Sequence, residues 1–159
     1  MPEFIRRKNR LEGYDYAADD DYFVTICSEH KKCLFGWIPE NTSSVCLSPR
    51  GKIVYNMIER LPSVFPCVRI PLYVILPNHV HLIFRLTGSK RSLSEIVNWL
   101  KGSVTKAAGG SVWQKSFYDH IIRDDEDYYR ISEYIRYNPI VWSSDIYFLT
   151  DDMPEPEYR

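Results

Sequence analysis

The sequence has no long apolar run, no apolar leader and no cysteine pair of the CxxC type. No apolar stretch approaches the ~20 residues that a transmembrane helix needs, which argues against a membrane-spanning protein. Residues 1–8 lack the apolar core of a secretory signal peptide, so a cytoplasmic protein is expected. The spacing of Cys27, Cys33, Cys46 and Cys67 fits neither a zinc ribbon nor a disulfide framework, so reduced and mostly buried thiols are predicted.

The chain also has no excess of basic charge. Its 20 Lys and Arg residues and 21 Asp and Glu residues give a formal net charge of −1, which argues against a strongly basic nucleic-acid binder. The charges are unevenly distributed, however. A basic cluster of Arg6, Arg7, Lys8 and Arg10 is either a solvated segment or a phosphate-binding one.

The length and composition predict one domain. A chain of 159 residues, 45% of them hydrophobic, can bury one substantial core but is short for two. There is no internal repeat, linker or low-complexity tract. The predicted domain spans 1–159, with a basic N-terminal segment (1–21), a core (22–142) and an acidic tail (143–159).

Apolar patterning predicts an α+β fold in which helices pack against an antiparallel sheet. The predicted strands are 22–27, a shorter partner at 34–38, a hairpin within 69–86 and a last strand leading to Arg123. The predicted helices begin at Ser48–Pro49, Ser92 and Asp124, and the first of them is predicted to stop at Pro62.

The candidate site is built around His79 and His81. Pro77 and Asn78 are typical of a tight turn, so His79 opens the returning strand of the hairpin. Side chains two apart on a strand point to the same face, and two imidazoles on one face are half of a metal site. The alternative is a pair of polar residues on the solvated face of a half-buried sheet.

Tyr134 and Asn138 are the second half of this candidate site. They are four residues apart on the third predicted helix, hence on one face, at the margin of its predicted contact with the sheet. Taken alone, a packed tyrosine and a helix-ending asparagine are the simpler explanation. With His79 and His81, an amide oxygen gives three ligands and leaves positions open, as a catalytic metal needs. Ligand softness favours Zn, Mn or Co over Mg, and a nearby phenol is a potential nucleophile.

Several other residues have two interpretations. Tyr137 is a competing nucleophile, but it is rotated ~100° around the helix from Asn138. His120 is a proton shuttle, a DNA contact or, as is more common for a single histidine beside isoleucines, a structural residue. The aromatic residues of 113–118 either stack on bases or fill the core, and the core is favoured.

The pattern His79-Val80-His81, followed by Tyr134-Ile135-Arg136-Tyr137-Asn138-Pro139, resembles the HUH single-strand DNA endonucleases. Within them it resembles the single-tyrosine transposases, most closely the REP-associated tyrosine transposases. Further blocks that resemble the family, in the family's order, are 10–16, 22–27, 76–81, 113–118 and 120–123.

This resemblance implies a ferredoxin-like, HUH-type sandwich and a specific chemistry. His79, His81 and Asn138 would bind a divalent ion, Mg or Mn, with Asn138 in the place where many members have Gln. Tyr134 would attack a DNA phosphate, forming a 5′-phosphotyrosine and freeing a 3′-OH. The ion would stabilise the charge of the transition state. The expected activity is therefore that of a metal-dependent single-strand nicking and strand-transfer enzyme.

The resemblance also implies a partner, single-stranded or hairpin DNA. The basic residues expected to contact it are Arg6, Arg7, Lys8, Arg10, Lys101, Lys106 and Arg123. A domesticated, non-cleaving binder of repeat hairpins on the same fold is the alternative. A homodimer stays open, because in some relatives the tyrosine helix of one subunit completes the other subunit's site.

Overall fold

The computed structural model describes residues 15–16 and 19–142. The strands of this part of the chain are β1 (Asp20–Cys27), β2 (Gly36–Trp37), β3 (Cys46–Leu47), β4 (Val68–Leu76), β5 (His79–Leu86) and β6 (Tyr118–Ile122). Its helices are α1 (Pro49–Val64), α2 (Leu93–Ala108) and α3 (Asp125–Tyr137), and a short 3-10 turn spans Glu29–Lys31. The basic N-terminal cluster and the acidic tail lie outside the described residues.

Four strands form an antiparallel sheet in the order β4-β5-β1-β6. β4 and β5 are joined by the turn at Pro77–Asn78, so the predicted hairpin is confirmed. Helix α1 connects β1 to β4 and α2 connects β5 to β6, which gives the β-α-β-β-α-β order of a ferredoxin-like sandwich. The predicted α+β class is therefore right.

The sheet is covered on both faces. Val80, Leu82 and Phe84 of β5 point into a core that includes the buried stripes of α1 and α2. Ile83 points to the opposite face, where it packs with Ile131 of α3. His79 and His81 share the face of Ile83, because side chains alternate along a strand. Helix α3 thus closes the sheet over the two histidines.

Local capping sets the start of each helix. The side chains of Ser48, Ser92 and Asp124 accept hydrogen bonds from backbone N–H groups of the first turns, so the three predicted caps are confirmed. The predicted stop at Pro62 is wrong, because α1 continues to Val64. A proline in the last turn removes only one intrahelical hydrogen bond, which the buried stripe of α1 can offset.

The predicted pairing of 34–38 with the first strand is also wrong. β2 pairs with β3 in a separate ribbon. The reason is topological: β1 has β5 on one edge and β6 on the other, so it has no edge left for β2.

The described helices and the cysteines bear on the expectations about membrane spans and thiols. None of the described helices has the length and apolar character to span a bilayer. None of the four cysteines forms a disulfide in the described part of the chain, and Cys27 and Cys33 are buried while Cys46 and Cys67 are half-buried.

Candidate active site

His79 and His81 lie side by side beneath α3. Both residues are fully buried, at 0% exposure. Their Nε2 atoms are 3.1 Å apart. The prediction that both side chains look the same way is therefore right, and the alternative of a solvated face is wrong because α3 covers that face.

Each imidazole is held through its Nδ1 atom. His79 Nδ1 lies 2.8 Å from Asn78 Oδ1, while Asn78 Nδ2 donates to the Lys31 carbonyl at 3.1 Å. A carboxamide oxygen only accepts hydrogen bonds, so His79 Nδ1 carries the proton and Nε2 of the neutral ring is unprotonated. His81 Nδ1 lies 2.8 Å from Thr25 Oγ1, and that hydroxyl can accept in the same way.

This arrangement aims the Nε2 atoms at a shared point. Two lone pairs at 3.1 Å repel each other unless a proton or a cation lies between them. Adjacent ligands of an octahedral ion at ~2.1 Å are ~3.0 Å apart, and those of a tetrahedral ion ~3.4 Å apart. The separation of the two nitrogens lies within this span, so both can bind one metal ion.

Tyr134 packs directly against this pair. Its ring centroid is 5.2 Å from that of His81 and 6.1 Å from that of Phe23. Tyr134 is only 8% exposed, so its predicted position at the margin of the contact is wrong. The helix buries Tyr134 together with Ile131 and Ile135 because all three face the sheet. Tyr137, at 47% exposure, points away from it.

Asn138 caps the C-terminus of α3 and is fully buried. Neither its Oδ1 nor its Nδ2 has a hydrogen-bond partner among the described residues. Its φ of −57° and ψ of −44° are right-handed helical, so a tolerance for left-handed geometry does not explain the asparagine. A buried amide without hydrogen bonds costs ~1–3 kcal/mol, and binding a cation through Oδ1 would account for that cost.

The donor set therefore fits a divalent ion. Within 15–16 and 19–142 there is no group of three or more His, Cys, Asp and Glu side chains that could hold one. The candidate ligands are the two imidazoles of His79 and His81, whose Nε2 atoms lie together, and the buried amide oxygen of Asn138 at the end of α3. A metal ion held by only three protein ligands keeps coordination positions open for a substrate.

His120 anchors the other end of α3. Its Nε2 lies 2.7 Å from Asp127 Oδ2, and Arg130 donates to Asp127 Oδ1 at 2.6 Å. Burial raises the pKa of Asp127, but hydrogen bonds from His120 and Arg130 outweigh it and leave the pKa below its ordinary value. Asp127, Tyr134 and Asn138 follow one another at helical spacings of seven and four residues, so this anchor fixes the face that α3 presents.

The structure does not gather the predicted DNA-binding residues around the histidines. Lys101 and Lys106 belong to α2, on the opposite face of the sheet. Arg123 follows β6 next to the pairing of Ile122 with Asp21, several residues along the sheet from His81. The remaining four, Arg6, Arg7, Lys8 and Arg10, lie outside the described residues.

The aromatic residues divide between core and site. Trp113 is buried against Phe35, with ring centroids 5.0 Å apart, and the adjacent Phe117 is half-buried against the same core. Trp142 lies over His79, with ring centroids 6.0 Å apart and planes 28° from parallel. The contacts of Trp142, Asn78 and Thr25 with the histidines are not predicted by the sequence. Trp142 and Thr25 are far from the histidines along the chain, and Asn78 is expected only as a turn residue.

Comparisons with known proteins agree with this architecture. The chain is 36% identical to an uncharacterised protein of Haemophilus influenzae, over 88% of this chain and 91% of that protein. It is 35% identical to a REP-associated tyrosine transposase of Escherichia coli, over 43% of this chain and 42% of that protein, so the match spans less than half of that relative. No protein-family model matches the chain.

A solved structure shares the fold. It is that of a REP-associated tyrosine transposase bound to a REP hairpin, with a TM-score of 0.61 and 23% sequence identity. The similarity covers 88% of this chain and 73% of that one.

Proposed function

Because the chain belongs to one family with the uncharacterised Haemophilus influenzae protein and is related to the REP-associated tyrosine transposases, we propose that it nicks and rejoins single-stranded DNA. The observation that carries the proposal is the packing of Tyr134 against His81, at a ring separation of 5.2 Å. A potential nucleophile and a candidate metal ligand thus share one buried site.

In the proposed reaction, Tyr134 Oη attacks the phosphorus of a DNA phosphodiester. A bond forms between the phenolic oxygen and phosphorus, and the bond between phosphorus and the 3′ oxygen breaks. The phenolic proton passes to water, and the departing 3′ oxygen takes one proton from water and ends as a hydroxyl, so the step consumes no net proton. The product is a 5′-phosphotyrosine, which keeps the phosphodiester energy, so a 3′-OH can reverse the step without a nucleotide cofactor.

The chain's own residues orient this step. His79, His81 and Asn138 would hold a divalent ion, Mg or Mn, which when bound withdraws charge from the scissile phosphate. Asn78 and Thr25 hold the two imidazoles with Nε2 facing inward. Phe23 packs on both His81 and Tyr134 and fixes their relative position.

The burial of the site favours a second candidate function. Tyr134 is 8% exposed and His79 and His81 are fully buried, whereas a nucleophile must reach DNA. A domesticated protein that binds repeat hairpins without cleaving them would not need access to Tyr134.

One assay separates the two candidates. The protein is incubated with end-labelled hairpin DNA carrying randomised single-stranded arms, with Mn, Mg or EDTA, and run on a denaturing gel. We expect a covalent adduct with the native protein and metal, none with Tyr134→Phe, and a retained adduct with Tyr137→Phe. An adduct with Tyr134→Phe refutes the nucleophile. DNA binding by the native protein on a parallel native gel, without any adduct on the denaturing gel, supports the non-cleaving binder.

A further inference from the structure

The two ends of the sheet carry opposite charge. The acidic end, where β1 begins and β6 ends, has a pocket lined by five aspartates and by the cations Arg85 and Arg123. The five aspartates are Asp19, Asp20, Asp21, Asp124 and Asp125. A net charge of −1 for the chain hides this separation.

The histidines lie toward the opposite end. His79 pairs with Cys27, the last residue of β1. The loop after β1 runs beside the hairpin turn, because the Ser28 N–H donates to the Asn78 carbonyl at 2.8 Å. This loop carries Lys31 and the exposed Lys32 together with one acidic residue, Glu29, so two of its three charged groups are basic.

A third basic residue reaches this end from the segment before β6. The Gln114 N–H donates to the Cys27 carbonyl at 2.9 Å, and the Glu29 N–H donates to the Val112 carbonyl at 2.9 Å. The exposed Lys115 therefore follows directly on a segment that pairs with the end of β1. We call Lys31, Lys32 and Lys115 the basic end of the sheet.

Lys101 holds this segment in place. Its ammonium group donates to the carbonyls of Gln114 and Ser116 at 2.8 and 2.9 Å, on either side of Lys115. Burial lowers the pKa of Lys101. Lys101 therefore positions the segment bearing Lys115.

The loop at the basic end is strained and is tied to a candidate metal ligand. His30 and Lys31 have φ angles of 55° and 54°, a left-handed backbone geometry that residues other than glycine rarely adopt. The Lys31 carbonyl accepts from Asn78 Nδ2, and Asn78 Oδ1 holds His79. Strain of this kind clusters at functional sites, where the surrounding structure maintains it.

We propose that Lys32 and Lys115 bind backbone phosphates of a DNA single strand that enters the site at the basic end, beside His79. This inference rests on the proposed function and adds the direction from which DNA arrives. The aspartates of the acidic end repel a polyanion, so Arg123 does not take part.

Salt-dependent binding of fluorescein-labelled oligothymidine, measured by anisotropy in EDTA, tests the inference. The double variant Lys32→Gln/Lys115→Gln is compared with Lys90→Gln/Arg91→Gln, which removes the same charge from exposed residues that follow β5 at the acidic end. Each phosphate contact to a single strand contributes ~0.7 to the slope of log K against log salt. Lys32→Gln/Lys115→Gln should reduce the steepness of this slope by about 1.4 and weaken binding roughly 50-fold at about 0.05 M salt.

The matched variant should leave the slope and the affinity close to those of the native protein. Equal losses in both variants, or no loss in Lys32→Gln/Lys115→Gln, would overturn the inference and leave the proposed function standing. A native protein that does not bind the strand at any salt concentration would overturn both. Circular dichroism of each variant confirms that the fold is retained.

Discussion

Replacing Asn138 by leucine should stabilise the metal-free protein while removing its response to metal. Leucine keeps the branch at Cγ but has no polar atoms. Both polar atoms of the Asn138 side chain are buried without a hydrogen-bond partner among the described residues. In protein mutational data such a group costs ~1–3 kcal/mol, so its removal should return about that free energy of unfolding.

For a domain of this size, 1 kcal/mol corresponds to ~2–4 °C in melting temperature. Asn138→Leu should therefore melt roughly 2–12 °C above the native protein in EDTA. With Mn at about a hundred times its dissociation constant, the native protein should gain ~2.7 kcal/mol, and Asn138→Leu should gain much less. Thermal unfolding followed by circular dichroism, with and without Mn, measures both effects.

Ser132→Ala is the matched control. The Ser132 hydroxyl is also buried without a partner among the described residues, but Ser132 has no role in the proposed site. This variant should also be stabilised in EDTA and should keep the full response to Mn. If Asn138→Leu melts below the native protein in EDTA, the amide stabilises the metal-free fold, and its burial is not explained by metal binding.

Two further predictions concern the residues around the site. Asn78→Ala and Thr25→Val should each weaken Mn binding ~10–100-fold in calorimetry, because they free the Nδ1 atom of a ligand, and unchanged affinity would contradict this role. Asp127→Asn should lower the free energy of unfolding by ~1–3 kcal/mol at neutral pH. Burial raises the pKa of Asp127, but hydrogen bonds from His120 and Arg130 outweigh burial and keep this pKa below its ordinary value. The difference in unfolding free energy should therefore shrink as pH falls through the lowered pKa, and a difference that stays constant from pH ~7 to ~3 would refute this reasoning.

Much of the fold follows from local sequence patterns. The caps at Ser48, Ser92 and Asp124 depend on residues within one turn. The hairpin depends on a turn between two apolar runs, and the buried stripe of α2 depends on helical periodicity. These features need no knowledge of distant contacts, so the sequence alone predicts them.

Apart from the helix end at Pro62, the features that the sequence does not predict involve contacts between distant segments. The partner of β2 depends on which edges of β1 are occupied. The role of Lys101 depends on the carbonyls of a segment more than ten residues away. The depth of Tyr134 depends on how closely α3 approaches the sheet. Neither periodicity nor spacing specifies such distances.

The candidate site was predictable as a set of residues but not as a geometry. Strand alternation at His79 and His81 and the helical spacing of Tyr134 and Asn138 predict the members of the candidate site, and the family resemblance implies their roles. The contact of Asn78 with His79, and the anchoring of α3 through Asp127, became visible only with the fold.

The central claim is that Tyr134 is the residue that becomes joined to DNA. Trypsin cleaves after Arg130 and Arg136, so Tyr134 and Tyr137 fall in different peptides. The adduct formed with hairpin DNA and Mn is trimmed with nuclease, digested with trypsin and analysed by mass spectrometry. We expect a nucleotide mass on the peptide 131–136; the same mass on the peptide that begins at Tyr137, or on any other peptide, would contradict the assignment of Tyr134 as the nucleophile.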